Sequence, residues 1–153
     1  MHPPYWGRPV ATLAAAELAR LETDHARLLE ALGRVRKVAD GLATMAAHDA
    51  RPALAEVDGL VREQLLPHES THETELYPRI ERALGGGDRI ASMHRTHREL
   101  ALLGQRLRRM VSELPPDGPD LDAMNDFRRV LYGLDAILQL HVAQENELYR
   151  GLA

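Results

Sequence analysis

Apolar residues recur every three or four positions along most of the chain, the spacing that places them on one face of an α-helix. Three groups of helix-breaking residues interrupt this pattern, at 48–52, 85–88 and 114–120. In the first, Pro52 fits the start of a new helix, and in the second a glycine stop is followed by Asp88 as a cap. The third is too rich in proline for any helix to cross. Four helices are therefore predicted, over residues 11–47, 53–84, 89–114 and 121–152.

The short connections between these segments favour antiparallel neighbours. We therefore predict an all-α fold, an up-down-up-down four-helix bundle over residues 11–153, with residues 1–10 as an extended N-terminal arm. The apolar stripes expected to meet in the core consist of Leu18, Leu21, Leu28, Leu32 and Val35 in the first helix, Val61, Leu65, Leu76 and Ala83 in the second, Ile90, Met93, Leu100, Gly104, Leu107 and Val111 in the third, and Leu131, Leu134, Leu138 and Leu148 in the fourth.

Each stripe is interrupted by side chains that do not suit an apolar core. They are His25 in the first helix, His68 and His72 in the second, His97 in the third, and His141 and Glu145 in the fourth. Burying such groups without partners costs several kcal/mol each. Imidazole and carboxylate are natural ligands for iron, zinc and manganese. The six residues therefore predict a metal site in the bundle core, in preference to a purely hydrogen-bonded network.

Five further residues lie beside the stripes: Glu69, Glu73, Tyr77, His94 and Tyr149. Each of the two glutamates directly follows one of the core-facing histidines, about 100° further around the helix, so by default they belong to the solvated face. Either could turn inward if the site lacks a carboxylate. His94 is expected on the flank of the site, and the tyrosines are expected to pack in the core with a hydroxyl that can reach a ligand.

Composition narrows the chemistry and the partners. The chain of 153 residues has no cysteine, which excludes disulfides, iron–sulfur clusters and thiolate zinc sites. The formal charge is −4 and the basic residues are scattered, so the sequence shows no basic patch of the kind that binds nucleic acid. No apolar run approaches the ~20 residues of a membrane span, and the first residues lack a signal-peptide pattern. A cytoplasmic protein with no membrane partner is expected.

Taken in order, these motifs resemble the hemerythrin-like family, whose members carry the HHE cation-binding domain. The resemblance rests on residues 24–28, 65–69, 73–78, 93–99 and 141–149, and it extends from about residue 12 to residue 152. It implies a four-helix bundle around an oxygen- or hydroxide-bridged pair of irons, held mostly by histidines and by bridging carboxylates. The residues that match the family's ligands are His25, His68, His97, His141 and Glu145.

The chain departs from the family's pattern at position 72, where the second helix usually supplies a bridging glutamate. His72 could be a terminal ligand, which leaves Glu145 as the one carboxylate bridge. Alternatively, Glu69 or Glu73 could take the missing role. With fewer carboxylates the cluster would be more positive, which favours its diferrous state.

The resemblance implies a site that binds or reduces a small diatomic or peroxide ligand, namely dioxygen, hydrogen peroxide or nitric oxide. Iron is the expected cofactor, with zinc or manganese as alternatives. Two other functions stay open at this point: a non-catalytic protein that binds or senses oxygen or iron at the same site, and a bundle that holds structural zinc or no metal. The sequence identifies no electron donor or protein partner.

Overall fold

Four long helices make up the computed structural model, which describes residues 13–85 and 88–152. Helix α1 is Ala15–Gly41, α2 spans 47–84, α3 is Asp88–Ser112 and α4 is Leu121–Gly151. The N-terminal arm predicted over residues 1–10 lies outside the described residues. The predicted all-α class is confirmed. No described helix has both the length and the apolar character needed to cross a membrane.

The helices form an antiparallel bundle in which α1 packs against α2 and α4, and α3 packs against the same two helices. This is the predicted up-down-up-down order. The connection between α3 and α4 lies close to the start of α2: Gly118 has a φ of 91°, and a Cβ atom there would lie 1.9 Å from the carbonyl oxygen of Ala47. Asp120 then caps α4, because its carboxylate accepts a hydrogen bond of 2.8 Å from the backbone N–H of Ala123.

Two predicted helix boundaries were wrong. The first break falls at 42–46 rather than 48–52, so Pro52 lies inside α2. Pro52 and His48, four residues earlier, are both exposed, so the hydrogen bond that proline cannot make is lost on the solvent side of the helix. Asp88 lies in the first turn of α3. Gly85 ends α2 in the left-handed conformation, as the glycine stop predicts.

Helix α2 contains two π-helical turns, Val61–Leu65 and His72–Leu76. In each, a backbone N–H bonds to the carbonyl five residues back, and a proline (Pro67 or Pro78) follows six residues after the turn begins. Proline has no N–H to complete the α-helical ladder, so a wider turn beside it is a natural adjustment. Ala83, predicted in the core, is exposed because it lies in the last turn of α2, where residues 81–85 are all exposed.

The apolar core has two parts. The large apolar cluster includes Leu28, Leu32, Val35, Leu54, Val61, Leu65, Leu100, Leu107, Leu131, Leu134, Leu138 and Val142. The small apolar cluster consists of Leu13, Leu76, Tyr77, Ile80, Ile90, Met93, Leu148 and Tyr149. Three predicted core residues are only partly buried and pack against these clusters: Leu18, Leu21 and Val111. Along every helix the predicted histidines fall between the two clusters, so the bundle has a polar layer enclosed by apolar ones.

Candidate metal centre

Side chains from all four helices meet in this polar layer. The residues that contribute are His25 from α1, His68, Glu69 and His72 from α2, His97 from α3, and His141 and Glu145 from α4. His68 is partly buried, and each of the others is at most 6 % exposed. The structure thus brings together all six residues that the sequence singles out. It also adds Glu69.

Three of the imidazoles form one set of donors, which we term the histidine group: His25, His68 and His72. Each offers a ring nitrogen, and these nitrogens lie within 4.8 Å of one another. The amide oxygen of Asn146 lies 2.5 Å from Nδ1 of His25 and can only accept, so the ring proton is on Nδ1. The lone pair of His25 is therefore on Nε2, which is buried without a hydrogen-bond partner, as is Nε2 of His68.

The other four residues form a second set, which we term the carboxylate group: Glu69, His97, His141 and Glu145. Oε2 of Glu69 lies 2.8 Å from Nε2 of His97 and 2.9 Å from Nε2 of His141. The two Nε2 atoms are themselves 2.8 Å apart. Oε1 of Glu145 is 2.7 Å from Nε2 of His141. Four donor atoms therefore crowd around one point.

Glu145 connects the two groups. While its Oε1 faces His141 in the carboxylate group, its Oε2 accepts a hydrogen bond of 2.7 Å from Nδ1 of His72 in the histidine group. One carboxylate thus has an oxygen directed at each set of donors. This is the arrangement a bridging ligand requires.

Charge in the carboxylate group is balanced internally. Burial alone would raise the pKa of Glu145, but hydrogen bonds from His141 and His72 outweigh it and hold that pKa well below its usual range. The pKa of Glu69 is lowered in the same way, against burial, by His141 and His97. Burial lowers the pKa of His141, yet its hydrogen bonds to Glu145 and Glu69 outweigh burial and raise it to about 9. Protons on imidazole thus serve as counter-charge to two buried carboxylates.

The histidine group has the opposite character. Burial, helped by repulsion from His72, lowers the pKa of His68 to about 4. At neutral pH this ring is uncharged and has a free lone pair. Neutral imidazole is the form that binds metals.

The donor set fits a bound cation. Four buried side-chain atoms of these donor residues have no hydrogen-bond partner among the described residues: Nε2 of His25, Nε2 of His68, Oε1 of Glu69 and Nδ1 of His141. Leaving such an atom unpaired costs about 1–3 kcal/mol. The Nε2 atoms of His97 and His141 are 2.8 Å apart, which leaves room for only one proton between them. Two ligands bound to one metal at about 2.0–2.2 Å in neighbouring positions also lie about 3 Å apart, so this spacing fits a shared metal. Neutral imidazoles and carboxylates suit iron, zinc or manganese.

Glu73 contacts the site indirectly, through hydrogen bonds with His94 and His97. Its carboxylate accepts hydrogen bonds from Nδ1 of His94 at 2.5 Å and from Nδ1 of His97 at 3.4 Å, which directs Nε2 of His97 into the carboxylate group. Those two hydrogen bonds outweigh burial and lower the pKa of Glu73. His94 is partly buried on the flank of the site, as expected, with its ring edge-on to Tyr77. Neither Glu73 nor His94 belongs to the two donor groups.

Two buried tyrosines contact the donors. The hydroxyl of Tyr77 is 3.0 Å from Nε2 of His97 and 3.3 Å from Nε2 of His141. The hydroxyl of Tyr149 donates to Oε2 of Glu145 and lies 3.3 Å from Nδ1 of His72. Burial and the neighbouring Glu145 raise the pKa of both phenols far above the ordinary value, so both keep their protons.

Sequence reasoning missed two features of the site. The default assignment of Glu69 to the solvated face was wrong: at 100° per residue it lies within about 40° of both Leu65 and Leu76, and the structure buries it. Its spacing of four residues from Leu65 and seven from Leu76 is the signal that could have shown it. Asn146 was not predicted at all, since its contact with His25 joins α4 to α1 across 121 positions of sequence.

A cavity of about 370 Å³ between α1 and α2 leads to the histidine group. Both His68 and His72 line it, together with Leu21, Leu76 and Thr71. A smaller cavity of about 180 Å³ also reaches His68, from the side of Leu28. No residue of the carboxylate group lines either cavity.

Comparison with known proteins gave one match. The family model described as the hemerythrin HHE cation binding domain matches residues 16–153. No curated protein and no solved structure matches the chain. The family match and the buried cluster of histidines and glutamates together indicate a metal-binding site.

Proposed function

Because the chain belongs to the hemerythrin HHE cation-binding family, we propose that its core holds two non-haem irons at which a small oxidant binds or is reduced. The oxidants that fit are dioxygen, hydrogen peroxide and nitric oxide. The observation that carries the proposal is the pair of adjoining donor groups that share Glu145.

The number of donors supports two metals rather than one. His25, His68 and His72 would hold the first, and the carboxylate group would hold the second, with Glu145 between them. A structural zinc site uses four ligands, fewer than the seven side chains that meet here. Iron so bound would supply one-electron redox chemistry and an exchangeable coordination position for the oxidant.

The chain's own residues would protect and assist that chemistry. The large and small apolar clusters lie on either side of the polar layer and exclude water from those two sides, so that solvent approaches the site through the cavities beside His68 and His72. Tyr77 and Tyr149 hold protonated hydroxyls against the donors of both groups. These phenols can stabilise negative charge at the site by donating hydrogen bonds, and they do so without losing their protons.

Metal analysis joined to optical spectroscopy tests the proposal. Metal-free protein is loaded anaerobically with ferrous iron and then exposed to air or to hydrogen peroxide. The expected result is iron that co-purifies with the protein and charge-transfer absorption that appears on oxidation. His141→Ala should abolish both, whereas His48→Ala, which removes an exposed imidazole remote from the site, should abolish neither.

The same samples distinguish a protein that reduces the oxidant from one that only carries oxygen. Consumption of successive additions of peroxide in the presence of a chemical reductant would support an oxidoreductase. Reversible binding of oxygen with no consumption would support the carrier or sensor alternative instead. Protein that retains no iron, and that ferrous iron does not stabilise against heat, would refute the metal centre.

A further inference from the structure

The two donor groups differ in charge. The histidine group contains three imidazoles and no carboxylate of its own, and the carboxylate group contains two carboxylates and two imidazoles. A divalent cation in the histidine group has only its share of Glu145 as counter-charge, whereas one in the carboxylate group also has the whole of Glu69. Buried positive charge without compensation is unfavourable, so the carboxylate group offers a divalent cation the more favourable place.

The groups also differ in access. His68 is partly buried and lines both cavities, and His72 lines the larger one. In the carboxylate group every donor is at most 6 % exposed, and Tyr77 covers the Nε2 atoms of His97 and His141. An ion in the histidine group can therefore exchange with solvent through the cavity between α1 and α2. An ion in the carboxylate group must leave through packed side chains.

From these differences, and resting on the proposed two-metal centre, we infer that the metals load in a fixed order. The first divalent cation enters the carboxylate group and is retained. The second occupies the histidine group, binds more weakly, and exchanges through the α1–α2 cavity. The protein thus has a stable one-metal form, and the metal exposed to incoming small molecules is the one held by His25, His68 and His72.

Donor chemistry extends the inference to metal preference. Manganese favours carboxylate oxygens and binds imidazole weakly, while cobalt, iron and zinc bind imidazole well. Manganese should therefore fill the carboxylate group and leave the histidine group empty at concentrations at which cobalt fills both. A mixed centre should form when manganese is added first and cobalt second.

Titration of metal-free protein with Co²⁺ tests the order, with binding followed by visible absorption and by calorimetry. Two steps are expected, separated by roughly tenfold or more in dissociation constant, because ligand charge tunes cation affinity over several orders of magnitude. His68→Ala should remove the weak step and leave the tight one. Glu69→Gln, which keeps the shape of the side chain, should weaken the tight step. Mn²⁺, followed by electron paramagnetic resonance, should saturate at one ion per chain.

Exchange kinetics test the route. With Co²⁺ in both groups, an excess of chelator should remove the ions in a fast and a slow phase. Thr71→Trp places a large side chain at the mouth of the cavity and should slow the fast phase alone. Thr74→Trp is the matched control. Thr74 is also an exposed threonine of α2 whose hydroxyl bonds back to its own helix, and it does not line the cavity.

The outcomes separate this inference from the proposed function. If two ions bind but His68→Ala weakens the tight step, or Glu69→Gln leaves it unchanged, the loading order is wrong and the two-metal centre stands. Equal slowing by both tryptophan variants, or no slowing by Thr71→Trp, would refute the route. If Co²⁺ fails to bind, or if one ion binds with an affinity that neither variant alters, the two-metal centre itself is refuted. Circular dichroism of each variant confirms that it is folded.

Discussion

The amide oxygen of Asn146 accepts a hydrogen bond from Nδ1 of His25 at 2.5 Å and so ties α4 to α1 at the level of the donors. This contact fixes both the tautomer and the direction of the His25 ring, and leaves its Nε2 atom facing the interior. Groups that orient a metal-binding histidine in this way commonly change metal affinity by 10–100-fold when removed.

Asn146→Ala should therefore weaken binding of the second Co²⁺ ion by about 10–100-fold, while the fold is retained. Asn146→Asp keeps an acceptor at the same place and should bind far more tightly than the alanine variant. Asn125→Ala, on an exposed position of the same helix, is the control. Equal affinity in the parent and in Asn146→Ala would show that the hydrogen bond does not orient His25.

Replacing His72 with glutamate should lower the reduction potential of the iron centre. The added carboxylate would lie beside Glu145, where extra negative charge favours the ferric state over the ferrous state. His72→Gln removes the imidazole without adding charge and separates the two effects. Spectroelectrochemical titration measures the potentials. A potential for His72→Glu above that of the parent would contradict the electrostatic argument.

Gly118→Ala should destabilise the protein by about 1–3 kcal/mol. The φ of 91° disfavours any L side chain, and the new Cβ would collide with the carbonyl oxygen of Ala47. Gly59→Ala provides the contrast, since a Cβ atom there would meet nothing within 4 Å and α2 would gain a better helix former. Urea unfolding of the metal-free proteins should show opposite changes in midpoint. Similar changes in the two variants would refute the steric argument.

The ion pair between Glu17 and Arg79 links α1 to α2 at the rim of the larger cavity, with contacts of 2.6 and 3.3 Å. The hydrogen bond from Arg79 lowers the pKa of Glu17 below its ordinary value of 4.5. A carboxyl group with a lowered pKa in the folded state contributes stability above its unfolded pKa and loses it as the pH falls through the folded value.

Glu17→Gln should consequently cost up to about 1 kcal/mol at pH 7, because the pair is partly exposed and screened by solvent. The difference from the parent should shrink as the pH falls below 4.5. Urea unfolding at several pH values measures it. A double-mutant cycle with Arg79→Gln should show a coupling that disappears over the same pH range. A coupling independent of pH would contradict the assignment.

The sequence was sufficient to predict most of the bundle, because α1, α3 and α4 are regular enough for one periodicity to hold from end to end. His25, His97 and His141 interrupt those stripes where the structure places them in the polar layer. Along α2 the prediction failed at two positions: Glu69 is buried on the face of Leu65 and Leu76, and Ala83 is exposed in the last turn of the helix.

Other parts of the site depend on relations that no single helix carries. The contact of Asn146 with His25 and the position of Glu145 between the two donor groups arise only when the helices have assembled. The same holds for Glu73 of α2, whose carboxylate accepts a hydrogen bond from His97 of α3. The pattern of apolar residues along one helix indicates which face of that helix is buried. It does not indicate which residues of different helices lie opposite one another.

The number and coupling of the irons test the account most directly. Protein reconstituted with ferrous iron and then oxidised should contain two irons per chain and should give almost no electron paramagnetic resonance signal, because two bridged ferric ions cancel each other's spin. One iron per chain with the signal of an isolated ferric ion would contradict the two-metal centre, and so would protein that retains no iron.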